Sequence, residues 1–247
     1  MAALILALAL LAQAAPKPDE TASTEALEKF KTDYKAKETG GRVTAVAERA
    51  KVQGDKVILR LAQVLSSPDE KEVRIAAAKG LGSVTENKKK PMQALVSGIA
   101  PNQKDPAVVA AILEALGKLG DQGAVATVES NLKSKNALVL KAAVEASGDL
   151  KSRSSVPQLI ELCRRLEEGA KEAPNLNTGG GGGTGGGNNI PGVSNSGMTD
   201  ENARERERVV KPVVIKVLGA LTKTNLGSAK EWEEWWRTEG AKFMSGK

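Results

Sequence analysis

The 247-residue sequence has no histidine and a single cysteine, Cys163. Without histidine, one chain cannot assemble the usual zinc or haem ligation, or a Ser-His or Cys-His couple. A lone cysteine excludes an intramolecular disulfide. Aromatic residues are only 2% of the chain, namely Phe30, Phe243, Tyr34 and three tryptophans, so the core must be aliphatic. The longest apolar run, residues 2–12, is shorter than the roughly 20 residues a membrane-spanning helix needs. Any enzyme chemistry would have to rest on Asp, Glu, Lys or Ser alone, and no carboxylates pair in a recognisable pattern. The expectation is a protein without catalytic residues, cofactor or metal.

What the chain does contain is helix-forming composition with interspersed charge. Apolar residues make up 40% of it, led by alanine, leucine and valine. Net charge is +6. Acids and bases alternate along the helices; Asp200–Lys211, for example, holds four of each. Such a surplus keeps a protein soluble rather than marking a nucleic-acid face. The best basic run, Lys88-Lys89-Lys90, has no aromatic neighbour on which a base could stack.

One helix is written four times, each copy ending in a glycine: Gly82, Gly117, Gly148 and Gly219. Nine residues before each glycine stands Val73, Val108, Val139 or Val210. Four before it come Ala78, Leu113, Val144 and Ile215, and two after it Val84, Leu119, Leu150 and Leu221. This is an apolar stripe of helical period. Three before the glycine the residue is always charged: Lys79, Glu114, Glu145, Lys216. That row is expected to face solvent and is the candidate partner-binding strip.

In chain order, residues 1–14 read as a secretory signal peptide cut after Ala14, which predicts an exported, periplasmic or extracellular protein. Residues 15–23 read as a flexible N-terminus and 24–170 as helical hairpins. The first helix is expected over Thr24–Lys37 and the second over Arg42–Val52. Ser67-Pro68-Asp69-Glu70 reads as a capping box opening the first repeated copy, with the device recurring at Asp105-Pro106. Gly54-Asp55 and Gly120-Asp121 punctuate the ends of repeats. Cys163 falls within the apolar stripe of the helix starting at Val156, which makes it a buried small hydrophobe. Residues 171–200 form a Gly/Asn-rich insertion inside the fourth hairpin, too rich in glycine to repay the entropy of ordering. It lacks the strand and the GK[ST] ending of a phosphate loop. Residues 201–225 supply the second helix of that last hairpin. Residues 228–244, opened by the capping box Ser228–Glu231, carry all three tryptophans and read as a cap on the open end of a stack.

The hairpin spacing of 31–36 residues, the Asp/Ser-Pro helix starts, the Val/Ala/Leu-Gly register and the Gly-Asp repeat ends resemble HEAT repeats over roughly residues 40–225. The short bacterial form, including phycobilisome-lyase-like modules, is the most similar. The tryptophan-rich tail resembles that of exported HEAT-repeat proteins of environmental bacteria. The resemblance implies an all-α, right-handed α-solenoid of about four to five hairpins plus a C-terminal capping helix. It also implies binding of other macromolecules along a curved face, with protein partners first. Alternatives are a nucleic-acid-binding HEAT-like protein and a cofactor-lyase-like or ligand-binding module. The arginine common early in the second helix of such repeats is present as Arg74, but Val109, Leu140 and Lys211 stand there in the other copies.

Overall fold

A computed structural model describes residues 18–35, 38–52, 54–172 and 196–246. Among these the chain forms eleven α-helices, with short 3-10 turns at 100–102, 122–124 and 153–155. They are α1 (Pro18–Asp33), α2 (Thr39–Ala50), α3 (Asp55–Leu65), α4 (Lys71–Gly82), α5 (Lys89–Ile99) and α6 (Pro106–Leu119). There follow α7 (Val125–Asn131), α8 (Ala137–Asp149), α9 (Val156–Glu172), α10 (Ser196–Thr222) and α11 (Ala229–Ser245). Consecutive helices pair as hairpins: α1 with α2, α3 with α4, α5 with α6, α7 with α8, and α9 with α10. The second helices, α2, α4, α6, α8 and α10, form one layer in which each packs against the next. No helix among the described residues is long and apolar enough to cross a membrane.

The glycines owe their place to that layer. They do not terminate helices by adopting a left-handed conformation. Gly117, Gly148 and Gly219 lie inside α6, α8 and α10, and none of the four has a positive φ. A methyl group on Gly82 would stand 2.7 Å from Ala115 Cβ and 2.8 Å from its Cα. On Gly117 it would meet Ala146 Cα at 3.0 Å, and on Gly148 the Val217 Cγ atoms at 3.2 Å. Each of these three glycines therefore receives the residue two before the next glycine, and the missing side chain lets parallel helices approach, whereas a methyl on Gly219, in α10, would meet only the Thr224 carbonyl, at 3.1 Å. The left-handed C-cap of α6 is Gly120 instead, with φ 67°.

The same contact reveals a fifth copy of the repeated helix. Gly80, two before Gly82, sits against Ala50 Cβ. Ala50 thus holds the glycine's position in α2, and Arg42 aligns with Arg74. Both arginines reach forward to an aspartate in the turn before the next second helix. Arg42 pairs with Asp69 at 2.9 Å, and Arg74 with Asp105 at 2.7 Å. Arg74 also donates to the side-chain oxygen of Asn102, whose amide donates to the carbonyls of Leu65 (2.9 Å) and Gly98 (2.7 Å). The ladder stops where Val109 replaces the arginine. There Asn136 caps α8 by accepting from the N–H groups of Leu138 and Val139. In the last hairpin Lys211 turns back to Glu167 on α9, at 3.1 Å.

Asp69 explains why Ser67 is no N-cap. α4 starts at Lys71, with Glu70 as an N-cap that makes no side-chain bond. Ser67 donates instead to the Val64 carbonyl and to Asp69, which also accepts from Tyr34 and Arg42. Burial pushes the Asp69 carboxyl up, but hydrogen bonds from Ser67 and Tyr34 and the Arg42 charge outweigh it, so its pKa is lowered. A lowered folded pKa stabilises above the unfolded value, near 4, and the contribution vanishes as pH falls through the folded value. Asp69→Asn should cost about 1–2 kcal/mol at pH 7, as charge-assisted bonds are lost. It should also flatten the acid limb below pH ~4, which urea titrations at several pH values would check. Asp105 likewise occupies the N-cap position with Pro106 behind it, yet its carboxylate serves Arg74 rather than its own helix.

Several helices are longer than expected. α1 starts at Pro18, whose fixed φ suits a first helical position, so residues 18–23 belong to the first helix. α9 continues to Glu172 and α10 begins at Ser196, which takes 171–172 and 196–200 out of the insertion. Residues 173–195 and the segment 1–14, read from sequence as a signal peptide, lie outside the described residues. The capping box at Ser228 is present in full. α11 packs on α9, with Trp232 completely buried and in edge contact with Trp235, while Trp235 and Trp236 each meet Phe243 edge-on. Arg153 closes the cap by stacking over Phe243, 4.4 Å from its centroid, and donating to its carbonyl.

Candidate docking face

The layer of second helices has one side on the first helices and one side outward. The outward side is set by register. The residue three before each glycine faces away from both neighbours, so the predicted row stands on one face of α4, α6, α8 and α10. Lys79 and Lys216 are exposed, while Glu114 and Glu145 are half-buried. Adjacent packed helices lie ~8–10 Å apart, so the row advances by about that step. Glu145 lies 3.7 Å from Lys141 on its own helix. Lys79, Glu114 and Lys216 form no ion pair among the described residues. The row thus presents positive ends and a negative middle.

The fifth copy extends this face to α2, where Ala47 holds the row position and Val43 stands one turn before it. Beside Lys79 the short Ala47 side chain leaves an open groove of about 440 Å³ between α2 and α4, floored by Val43, Ala47, Ile75 and Ala76. Aligning Arg42 with Arg74 in the sequence would have placed Ala47 at the row position, though the groove itself arises only from the packing of α2 on α4. A larger hollow of about 790 Å³ between α9 and α10 has charged walls that are already engaged. Lys211 is held there by Glu167 and Glu207, and Arg208 by Glu205.

Groups that could carry chemistry lie off the face. Cys163 is fully buried, and burial, helped by the Glu167 carboxylate, pushes its thiol up to about 11. It is a packing residue, as its place in the apolar stripe predicted. No group of three or more His, Cys, Asp or Glu among the described residues could hold a metal. In the basic run, Lys90 is taken by Asp55. Of the tryptophans, Trp232 is inaccessible, while Trp235 and Trp236 are half-buried and pack edge-on against Phe243.

No curated protein matches the chain. Residues 92–173, which run from α5 through α9, match the family model of HEAT repeats, helical modules that are typically non-catalytic and generally serve as protein-interaction scaffolds.

Proposed function

We propose that the protein is a non-catalytic scaffold of the bacterial cell envelope that holds another protein on the outward face of its second helices. The observation that carries this is the row Lys79, Glu114, Glu145, Lys216. Four charged residues at one register position share a face, and three of them have no ion-pair partner within the described chain. Lysine, glutamate, glutamate, lysine calls for a partner patch that is basic at its centre and acidic at its flanks. The apolar run at residues 2–12 supports export.

Each exposed pair formed across such an interface is worth only ~0.2–1 kcal/mol. The row therefore sets orientation and partner choice more than affinity. Reversing all four charges should leave folding intact and reduce partner recovery from envelope extracts by about tenfold, the order expected from four such pairs. Quantitative affinity capture checks this, and equal recovery of every partner would refute the strip. Fractionation of the native cells tests the compartment separately.

A further inference from the structure

An interface built on exposed charges needs apolar burial for its affinity, and the groove beside Lys79 can supply it. Resting on the scaffold reading, we infer that the α2–α4 groove receives the apolar face of an amphipathic helix belonging to the partner protein. The groove runs along two parallel helices whose backbone bonds are internally satisfied, so it offers no edge for an added strand. A helix lying lengthwise is the mode that such a trough accepts.

Charge complementarity defines the occupant further. Glu72 and Lys79 flank the groove on α4, two helical turns or ~10 Å apart. Lys71 stands 3.8 Å from Glu72 and partly offsets it, whereas Lys79 forms no ion pair among the described residues. The matching helix carries a base at one end and an acid two turns away, with aliphatic residues at i and i+4 between them. The acid meets Lys79, and the aliphatic pair enters between Val43 and Ile75.

Fluorescence anisotropy with the full chain and a synthetic amphipathic peptide of this pattern tests the inference. The control peptide exchanges the basic and acidic residues. The first peptide should bind, and Ala47→Glu, which places a long charged side chain in the groove, should weaken it by about tenfold or more. Lys79→Glu should weaken it by about two- to fivefold and favour the exchanged peptide by a similar factor. That reciprocal swap leaves the groove floor intact, so it remains decisive if Ala47→Glu fails to fold. Three results would overturn the inference: no binding by either peptide, equal binding to Ala47→Glu, or no reversal of preference with Lys79→Glu. Peptide-competitive self-association in sedimentation would assign the groove to a second copy instead. Should the groove fail while charge reversal of the row still lowers partner capture, the scaffold reading stands without it. Should the reverse occur, the row alone is wrong.

Discussion

Truncating Trp232 to alanine is expected to cost about 3–5 kcal/mol, the range for removing a large aromatic side chain from a packed site. Trp232 is the largest fully buried side chain and sits where α11 covers α9. In a linear array each hairpin contacts only its neighbours, so stability depends on covered ends. The loss should therefore concentrate at the C-terminal end. Hydrogen exchange should show α9 and α10 opening at lower free energy, with α3–α6 little changed. The indole Nε1 is buried with no hydrogen-bond partner. Trp232→Phe removes that unsatisfied donor while keeping most of the apolar contact, and should cost only ~1 kcal/mol. Urea denaturation of both variants tests this. Near-equal losses for Ala and Phe, or a loss spread evenly along the array, would show that α11 is not a cap.

A second large effect is expected from Gly82→Ala. In an isolated helix that change stabilises by up to ~1 kcal/mol. Here the added methyl would stand 2.7–2.8 Å from Ala115 Cβ and Cα, and the backbone atom cannot move aside as a side chain would. Separating α4 from α6 should outweigh the propensity gain and leave a net loss of about 2–3 kcal/mol, within the range for overpacking. Gly40→Ala supplies the contrast, because a methyl there meets nothing within 4 Å. It should be neutral or stabilise by ~0.5 kcal/mol. Thermal and urea midpoints should fall for Gly82→Ala and hold or rise for Gly40→Ala. A shift of the same sign and size would mean that the glycine contacts do not set the spacing of the layer.

These glycines also show how far the sequence could be read. A repeated glycine at the end of an apolar stripe fits two causes, a left-handed cap or a close approach. Both require a missing Cβ, and periodicity cannot separate them. The stripe itself was legible because burial follows helical period wherever one face is covered. The register of α2 was not, since Ala50 performs the glycine's part and hides the copy. Ser67-Pro68 resembled a cap, but Tyr34 and Arg42, distant in sequence, drew Asp69 into a ladder that local spacing could not reveal. The charged row was legible as a register position. The groove beside it was not, because it arises from the alignment of Ala47 against Lys79 on a neighbouring helix.

Lysine-reactivity footprinting of the partner-bound protein, set against the free protein, tests most directly whether the outward face of the second helices makes the contact. Lys79 on α4 and Lys216 on α10 should lose reactivity on binding, while Lys56 on α3 and Lys230 on α11 should keep it. Protection of Lys56 or Lys230 with Lys79 and Lys216 unchanged would place the partner on the opposite side and contradict the account.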